Sequence, residues 1–153
     1  MTTENNRAQP RFIKIGEDGS LLAPDATEWV AVLDTKSNLM WAVEVLPQQT
    51  FAAAADSVAK LRTAGFADWR VPTVEELFCL ADRTRRGSAI DTDYFPNTPP
   101  ELFWSSTPEA SSPSDCAWGV HFGDGYSFWG YQDSDGFVRA VRSVSADNAG
   151  ERR

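Results

Sequence analysis

The sequence predicts an α+β domain, on three observations. Short β-branched and aromatic runs sit at both ends of the chain, two amphipathic helical stretches lie between them, and the second half alternates brief strands with turns. Residues 1–10 are polar, end in Pro10 and are expected to form a flexible arm. Phe12-Ile13-Lys14-Ile15 follows as a first strand, closed by the turn chemistry of Glu17-Asp18-Gly19-Ser20. Residues 29–34 and 39–43 are the next two strands, close enough across the polar turn 34–38 to form a hairpin. The first helix is expected over residues 51–64, capped by Thr50 and stopped by Gly65, with Phe51, Ala54, Ala55, Val58 and Leu61 on one face. The second spans residues 74–81 with Leu77, Leu80 and Ala81 inward. Thr73 and Glu76 have the spacing of a capping box, hydroxyl to the third amide and carboxylate back to the cap amide. From residue 103 onward, strands are expected over 103–106, 117–122, 126–131 and 136–142, with Gly123-Asp124-Gly125 as a tight hairpin turn between two of them. Residues 11–144 therefore make one domain, and 145–153 a polar tail.

The chain has 153 residues, enough for one well-buried core. Its net charge of −8 argues against direct binding to nucleic acid, whose affinity rests on Lys and Arg neutralising phosphates. The same charge disfavours an anionic membrane surface, and no run approaches the roughly 20 apolar residues of a membrane helix. With no apolar run behind the N-terminal residues, a secretion signal is not expected, which points to a cytoplasmic or virion-associated protein. Cys79 and Cys116 lack a CxxC spacing and are expected to be free thiols, Cys79 buried on its helix. Six tryptophans are many for this length, and more than half of the aromatic residues fall between Tyr94 and Phe137.

Three segments carry a more specific signal. Gly65-Phe66-Ala67-Asp68-Trp69-Arg70-Val71-Pro72-Thr73 leads into Glu76-Leu77; Phe103-Trp104-Ser105-Ser106-Thr107 follows; Val138-Arg139-Ala140-Val141-Arg142 closes the series. Together with Ile90-Asp91, Phe95-Pro96 and the stretch from Ala117 to Gly125, they resemble the ordered motifs of the Lcl C-terminal domain family, over residues 40–144. The resemblance implies a C-type-lectin-like fold, two helices flanking a small antiparallel sheet, with the ligand face built by loops and strands of the C-terminal half. It implies binding rather than catalysis, and assembly as trimers in some members. The collagen-like stalk and secretion signal of adhesive members are missing from these residues, which weighs against an extracellular adhesive role.

Chemistry is sparse. The Glu-Pro-Asn, Gln-Pro-Asp and Trp-Asn-Asp triplets of calcium-dependent lectins are absent, and Asp133-Ser134-Asp135-Gly136 lacks the later ligands of a calcium loop. A lone His121 cannot build a zinc site without Cys or carboxylate partners. Cys79 and Cys116 do not look like the cysteine pair of the related formylglycine-generating scaffold. Ser105 and Ser106 have no base beside them in sequence, and Asp91 and Asp93 suit turn capping. No metal, cofactor or catalytic residue is therefore expected. Arg70 and Arg142 are expected to pair with Glu75, Glu76 or Asp68. Arg139 and Arg142 cannot share a face under strict alternation, so at least one should turn to solvent or a carboxylate.

What is left is a surface. In residues 126–131, alternation sets Tyr126, Phe128 and Gly130 against Ser127, Trp129 and Tyr131, one set buried and the other exposed. The expected binding face comprises Trp104, Trp118, His121, Asp124, Tyr126, Trp129, Tyr131, Gln132 and Asp133, rimmed by the Pro- and Ser-rich stretch 107–115. Flat rings give such a face area and its polar groups give specificity. The expected partner is a protein or a glycan, with the exposed rings also suited to a homo-oligomer contact, dimer or trimer. The competing expectation is a small acidic inhibitor or regulator that covers a basic surface of a nucleic-acid-handling complex. A single dense carboxylate face would favour that second role.

Overall fold

The computed structural model describes residues 10–85, 87–110 and 115–144. The arm 1–9, the tail 145–153 and residues 111–114 of the expected rim lie outside them. Among the described residues, nine strands form two mostly antiparallel sheets, with two short helices: an α+β architecture. The first sheet has the order β1 (Phe12–Ile15), β2 (Ala31–Asp34), β3 (Leu39–Ala42), β9 (Val141–Ser143). The second has the order β4 (Leu46–Gln49), β8 (Gly136–Val138), β5 (Leu102–Pro108), β6 (Cys116–His121), β7 (Tyr126–Tyr131). Only the β5–β8 contact, Phe103 beside Phe137, is parallel. The expected β2–β3 and β6–β7 hairpins both form, with Gly125 at φ +83° in the second turn. The expectation of a single small sheet is corrected to two.

The two sheets share one long antiparallel ribbon. β3 pairs with β9 and β4 with β8, so residues 39–49 run against 136–143 throughout, and the ladder opens around residues 43–45 and 139–140 where the ribbon passes from one sheet to the other. This is why the strand expected over 136–142 is broken. Arg139 fills the opening. It turns neither to solvent nor to a carboxylate but donates from Nη1 to the carbonyls of Ala42 (2.9 Å) and Val43 (2.7 Å), and from Nη2 to Thr98 Oγ1 (2.8 Å). β4 itself was not expected, because Leu46-Pro47-Gln48-Gln49 has no strand-like alternation.

Helix α1 (Phe51–Ala59) starts as expected, with the Thr50 hydroxyl accepting from the Ala53 amide, but is a turn shorter than expected. Arg62 caps the carbonyls of Ala59 and Leu61, and a 3-10 turn, Thr63–Gly65, follows with Ala64 at φ 58° and buried. Trp69 Nε1 donates to the Thr63 carbonyl, so tertiary packing unwinds what local spacing would extend. Ala54 and Val58 are buried, whereas Ala55, expected inward, is exposed.

Helix α2 (Val74–Phe78) has the complete capping box: Thr73 Oγ1 accepts from the Glu76 amide (3.2 Å) and Glu76 Oε1 from the Thr73 amide (2.9 Å). Leu77 and Leu80 are buried, and Ala81 half-buried. Cys79 corrects an expectation: the helix ends at Phe78, and the thiol-bearing residue that follows is exposed. Cys116 is the buried cysteine, and both are free.

The three motif segments lock together around this helix. Arg70 pairs in backbone with Val141, and its guanidinium forks onto Glu76 at 2.8 and 2.9 Å while also donating to Ser143 Oγ. Arg142 bonds Asp68 at 2.6 Å and stacks on Phe66 at 3.6 Å. The Ser106 amide donates to the Pro72 carbonyl, and the Val74 amide to Thr107 Oγ1. The expected arginine–carboxylate pairs are thus present, and the motifs brace α2 against both sheets.

Those pairs set an acid limit. The Arg70 guanidinium first, then the Thr73 amide, hold the Glu76 carboxyl below its ordinary value of 4.5, and Arg142 does the same for Asp68 against 3.8. Lowered carboxylate values mean that the unfolded chain binds more protons in this range, so the stabilisation is full above about pH 4.5 and lost as pH falls through the folded values. Glu76→Gln should lower neutral stability by about 1 kcal/mol. It should also flatten the fall in stability below pH 4.5, read by urea unfolding across a pH series.

Candidate ligand-binding face

The aromatic face expected from the sequence is real but differently built. β7 is the outermost strand of its sheet, so neither of its alternating sets is buried. Tyr126 is 53% exposed, Phe128 46%, Trp129 51% and Tyr131 59%. The expectation of one buried set fails because burial of both faces reaches β6 and stops there. Side chains directly opposed across the β6–β7 ladder share a face. On one face Trp129 lies opposite Trp118, with Tyr131 opposite Cys116. Trp118 is half-buried, and the Trp129 and Tyr131 rings meet edge to face at 6.1 Å. On the other face Phe128 and Tyr126 stand with His121, whose half-exposed ring meets Phe128 at 5.9 Å.

Trp104 is the clear correction. It is fully buried beside α1, edge-on to Phe51 at 5.7 Å, with Nε1 donating to the Gln49 carbonyl. It is a core residue and no part of the face. Gln132 is half-buried and partly structural, its side-chain amide donating to the Cys116 carbonyl and its backbone amide to that of Asp115. Asp124 shapes the hairpin, its carboxylate accepting from the Tyr126 amide at 3.1 Å and lying 3.9 Å from His121 Nδ1. Asp133 is exposed, and together with Asp115, Tyr131 and Gln132 it lines a depression of about 360 Å³ at one end of β7.

Three residues of this region were missed. Phe128 shares its alternating set with Tyr126 yet is absent from the expected face, and its exposure follows from the edge position of β7. Arg83 and Phe78 come from the segment after α2 and α2 itself: Arg83 lies 4.4 Å over the Tyr126 ring and 4.8 Å over Phe78, and its Nε donates to the Gly125 carbonyl. No local pattern marks a loop arginine for this role.

Ser105, Cys116 and Asp91 each have structural surroundings. Ser105 is buried, its hydroxyl donating to the Trp118 carbonyl and accepting from the Thr107 amide, which occupies it structurally. Burial, then the charges of Asp115 and Glu109, push the Cys116 thiol up, away from the reactive thiolate. Asp91 accepts from the Asp93 amide and pairs with Arg85, a turn-capping role. Among the described residues, no group of three or more His, Cys, Asp and Glu side chains is arranged to hold a metal ion, and no helix is long and apolar enough to cross a membrane.

Comparison with known proteins adds one positive finding. The family model described as the Lcl C-terminal domain matches residues 30–142, most of the chain and all three interlocked motif segments. No curated protein matches the chain.

Proposed function

This chain belongs to the Lcl C-terminal domain family, and from that premise we propose that it is a non-enzymatic binding module with a C-type-lectin-like version of the α+β fold. It recognises a protein or glycan through the rings and polar groups of β6, β7 and the turns that flank them. The observation that carries this reading is the exposure of four large aromatic side chains on a single six-residue strand. Rings standing clear of the core offer area without conformational cost, and the carboxylates of Asp115 and Asp133 beside Tyr131 offer acceptors to sugar hydroxyls or to cationic side chains. The phage or prophage setting and the cytoplasmic or virion-associated location go with this reading.

The distribution of acidic groups supports this role over that of an acidic inhibitor. Glu17, Glu28 and Glu44 border clefts around Trp29, Asp82 and Asp91 are paired with Arg85, and Asp115 and Asp133 flank β7. The clefts around Trp29, where Asp18 joins the three glutamates, the one beside Asp82 and Asp91, and the one at the end of β7 have no lining residue in common.

The test compares wild type with a Trp129→Ala, Tyr131→Ala double variant of unchanged circular dichroism, on a glycan array and in affinity capture from cell lysate. A ligand retained by wild type should bind the variant at least about tenfold more weakly. Equal binding by both proteins moves the site away from this face.

A further inference from the structure

The four outer edges of the two sheets are not treated alike. Segment 20–22 lies along β1, through an Ile15–Leu21 bridge and the Leu22 amide on the Lys14 carbonyl. Arg70 covers β9 by its backbone pairing with Val141. β4 carries Pro47 and a shift of register against β8. These are the devices by which proteins keep strand edges from pairing with other chains. Among the described residues, β7 has none of them. Its six residues, Tyr126–Tyr131, include no proline and no charge, and they pair with β6 in unbroken register.

The hydrogen-bond phase shows which groups face outward. The Gln132 amide donates to the Asp115 carbonyl at 2.7 Å, so residues 132, 130, 128 and 126 bond toward β6. Ser127, Trp129 and Tyr131 then turn their N–H and C=O groups to the open side. Among the described residues, only the Tyr131 carbonyl of these is taken, by the Ser134 amide.

We propose that this edge pairs with β7 of a second copy, antiparallel, about a two-fold axis at Trp129. In that register Trp129 faces its own image, Phe128 lies opposite Gly130 and Tyr131 opposite Ser127, a large side chain against a small one in each pair, while Tyr126 lies opposite Gln132. Gly125 falls opposite Asp133. Arg83, bonded to the Gly125 carbonyl, thereby brings its charge to Asp133 of the second copy, and symmetry makes the contact twice. Asp124 stands at the same end, its carboxylate already engaged with the Tyr126 amide and near His121. The charge match and the size match together select a second copy over an unrelated strand. Pairing consumes only backbone groups, so the aromatic rings stay on the two sheet surfaces and the ligand face is doubled. The inference does not depend on what that face binds.

Sedimentation equilibrium of the full chain, from micromolar to several hundred micromolar, tests it. Wild type should show a monomer–dimer equilibrium. Ser127→Pro removes an outward amide while leaving every bond to β6, and should be monomeric. Should Ser127→Pro disturb the circular dichroism, Trp129→Lys, on an exposed side chain, takes its place. Arg83→Asp and Asp133→Arg should each weaken the dimer at least about tenfold, and the two combined should restore it. Wild type that is monomeric at every concentration overturns the proposal and leaves the edge to a strand from another protein. A dimer indifferent to these substitutions overturns it too, since it would use another surface.

Discussion

Arg139→Ala is expected to cost the fold about 3–5 kcal/mol, the range for breaking a buried charged network by removing one side of it. The side chain is 1% exposed and has no carboxylate bonded to it. Its guanidinium instead joins carbonyls that have lost their ladder partners where the ribbon changes sheets, and Thr98, whose own hydroxyl donates to the Phe95 carbonyl, completes the set. Phe95 lies 5.0 Å and Phe103 6.0 Å from the charge, so ring faces stand where a counter-ion would otherwise be. Arg139 Nε and Trp41 Nε1 are buried without partners, which shows that the junction is not fully satisfied even with the arginine in place. Truncation would orphan three more acceptors and open a cavity between the sheets.

Two further variants separate charge from packing at that position. Arg139→Met fills much of the volume but satisfies no carbonyl, and should recover only part of the loss. Arg139→Lys keeps a charge, and its behaviour with pH is diagnostic. Burial pushes Arg139 down to about 9 from an ordinary 12.5, so at neutral pH it is still protonated. The same burial acting on a lysine, whose ordinary value is about 10.4, lowers it toward the accessible range. The unfolded chain then binds more protons than the folded one between the two values, so stability should rise with pH up to about 10.4. Urea unfolding of Arg139→Lys that is less stable at pH 9 than at pH 7 would contradict the buried-charge account.

How far the sequence could be read follows the range of the interactions involved. The Thr73–Glu76 capping box, the Gly125 turn and the pairing of Arg70 and Arg142 with Glu76 and Asp68 were legible because each is a local rule or a short list of complementary charges. Alternation along β6 does hold at His121, which is half-exposed between the buried Val120 and Phe122. It failed for Trp104 and for β7, because whether a strand is covered on one face, two or none depends on its rank in the sheet. Trp104 sits on β5, inside the sheet, and β7 at its edge, though both segments carry large aromatic side chains. Arg139 was unreadable for a related reason: the opening it fills exists only because residues 39–49 and 136–143 pair across two sheets at once. The binding face is legible as a region, while Phe128 and Arg83 enter it only through tertiary placement.

Gly119→Ala should be the most damaging of the small substitutions, about 3 kcal/mol, and it tests that distinction directly. A Cβ at residue 119 would lie 2.3 Å from the Phe103 carbonyl oxygen and 2.9 Å from Leu102 Cδ1. The first of these is backbone of the neighbouring strand, so no rotamer change relieves it, and β6 must move away from β5. β6 carries β7, so the whole aromatic hairpin would shift with it. Gly130 provides the control from the adjacent strand. There an added methyl meets only the ends of Leu102 and Trp104, both at 3.4 Å, and Gly130→Ala should change stability by no more than about 0.5 kcal/mol. Thermal and urea unfolding of the two variants reads the difference. Both glycines lie in aromatic strands, and one propensity scale treats them alike; the expected gap comes from the close approach of β5 to β6, which Gly119 permits and any side chain there would undo. Near-equal losses in the two variants would mean that the strands relax more easily than their spacing implies.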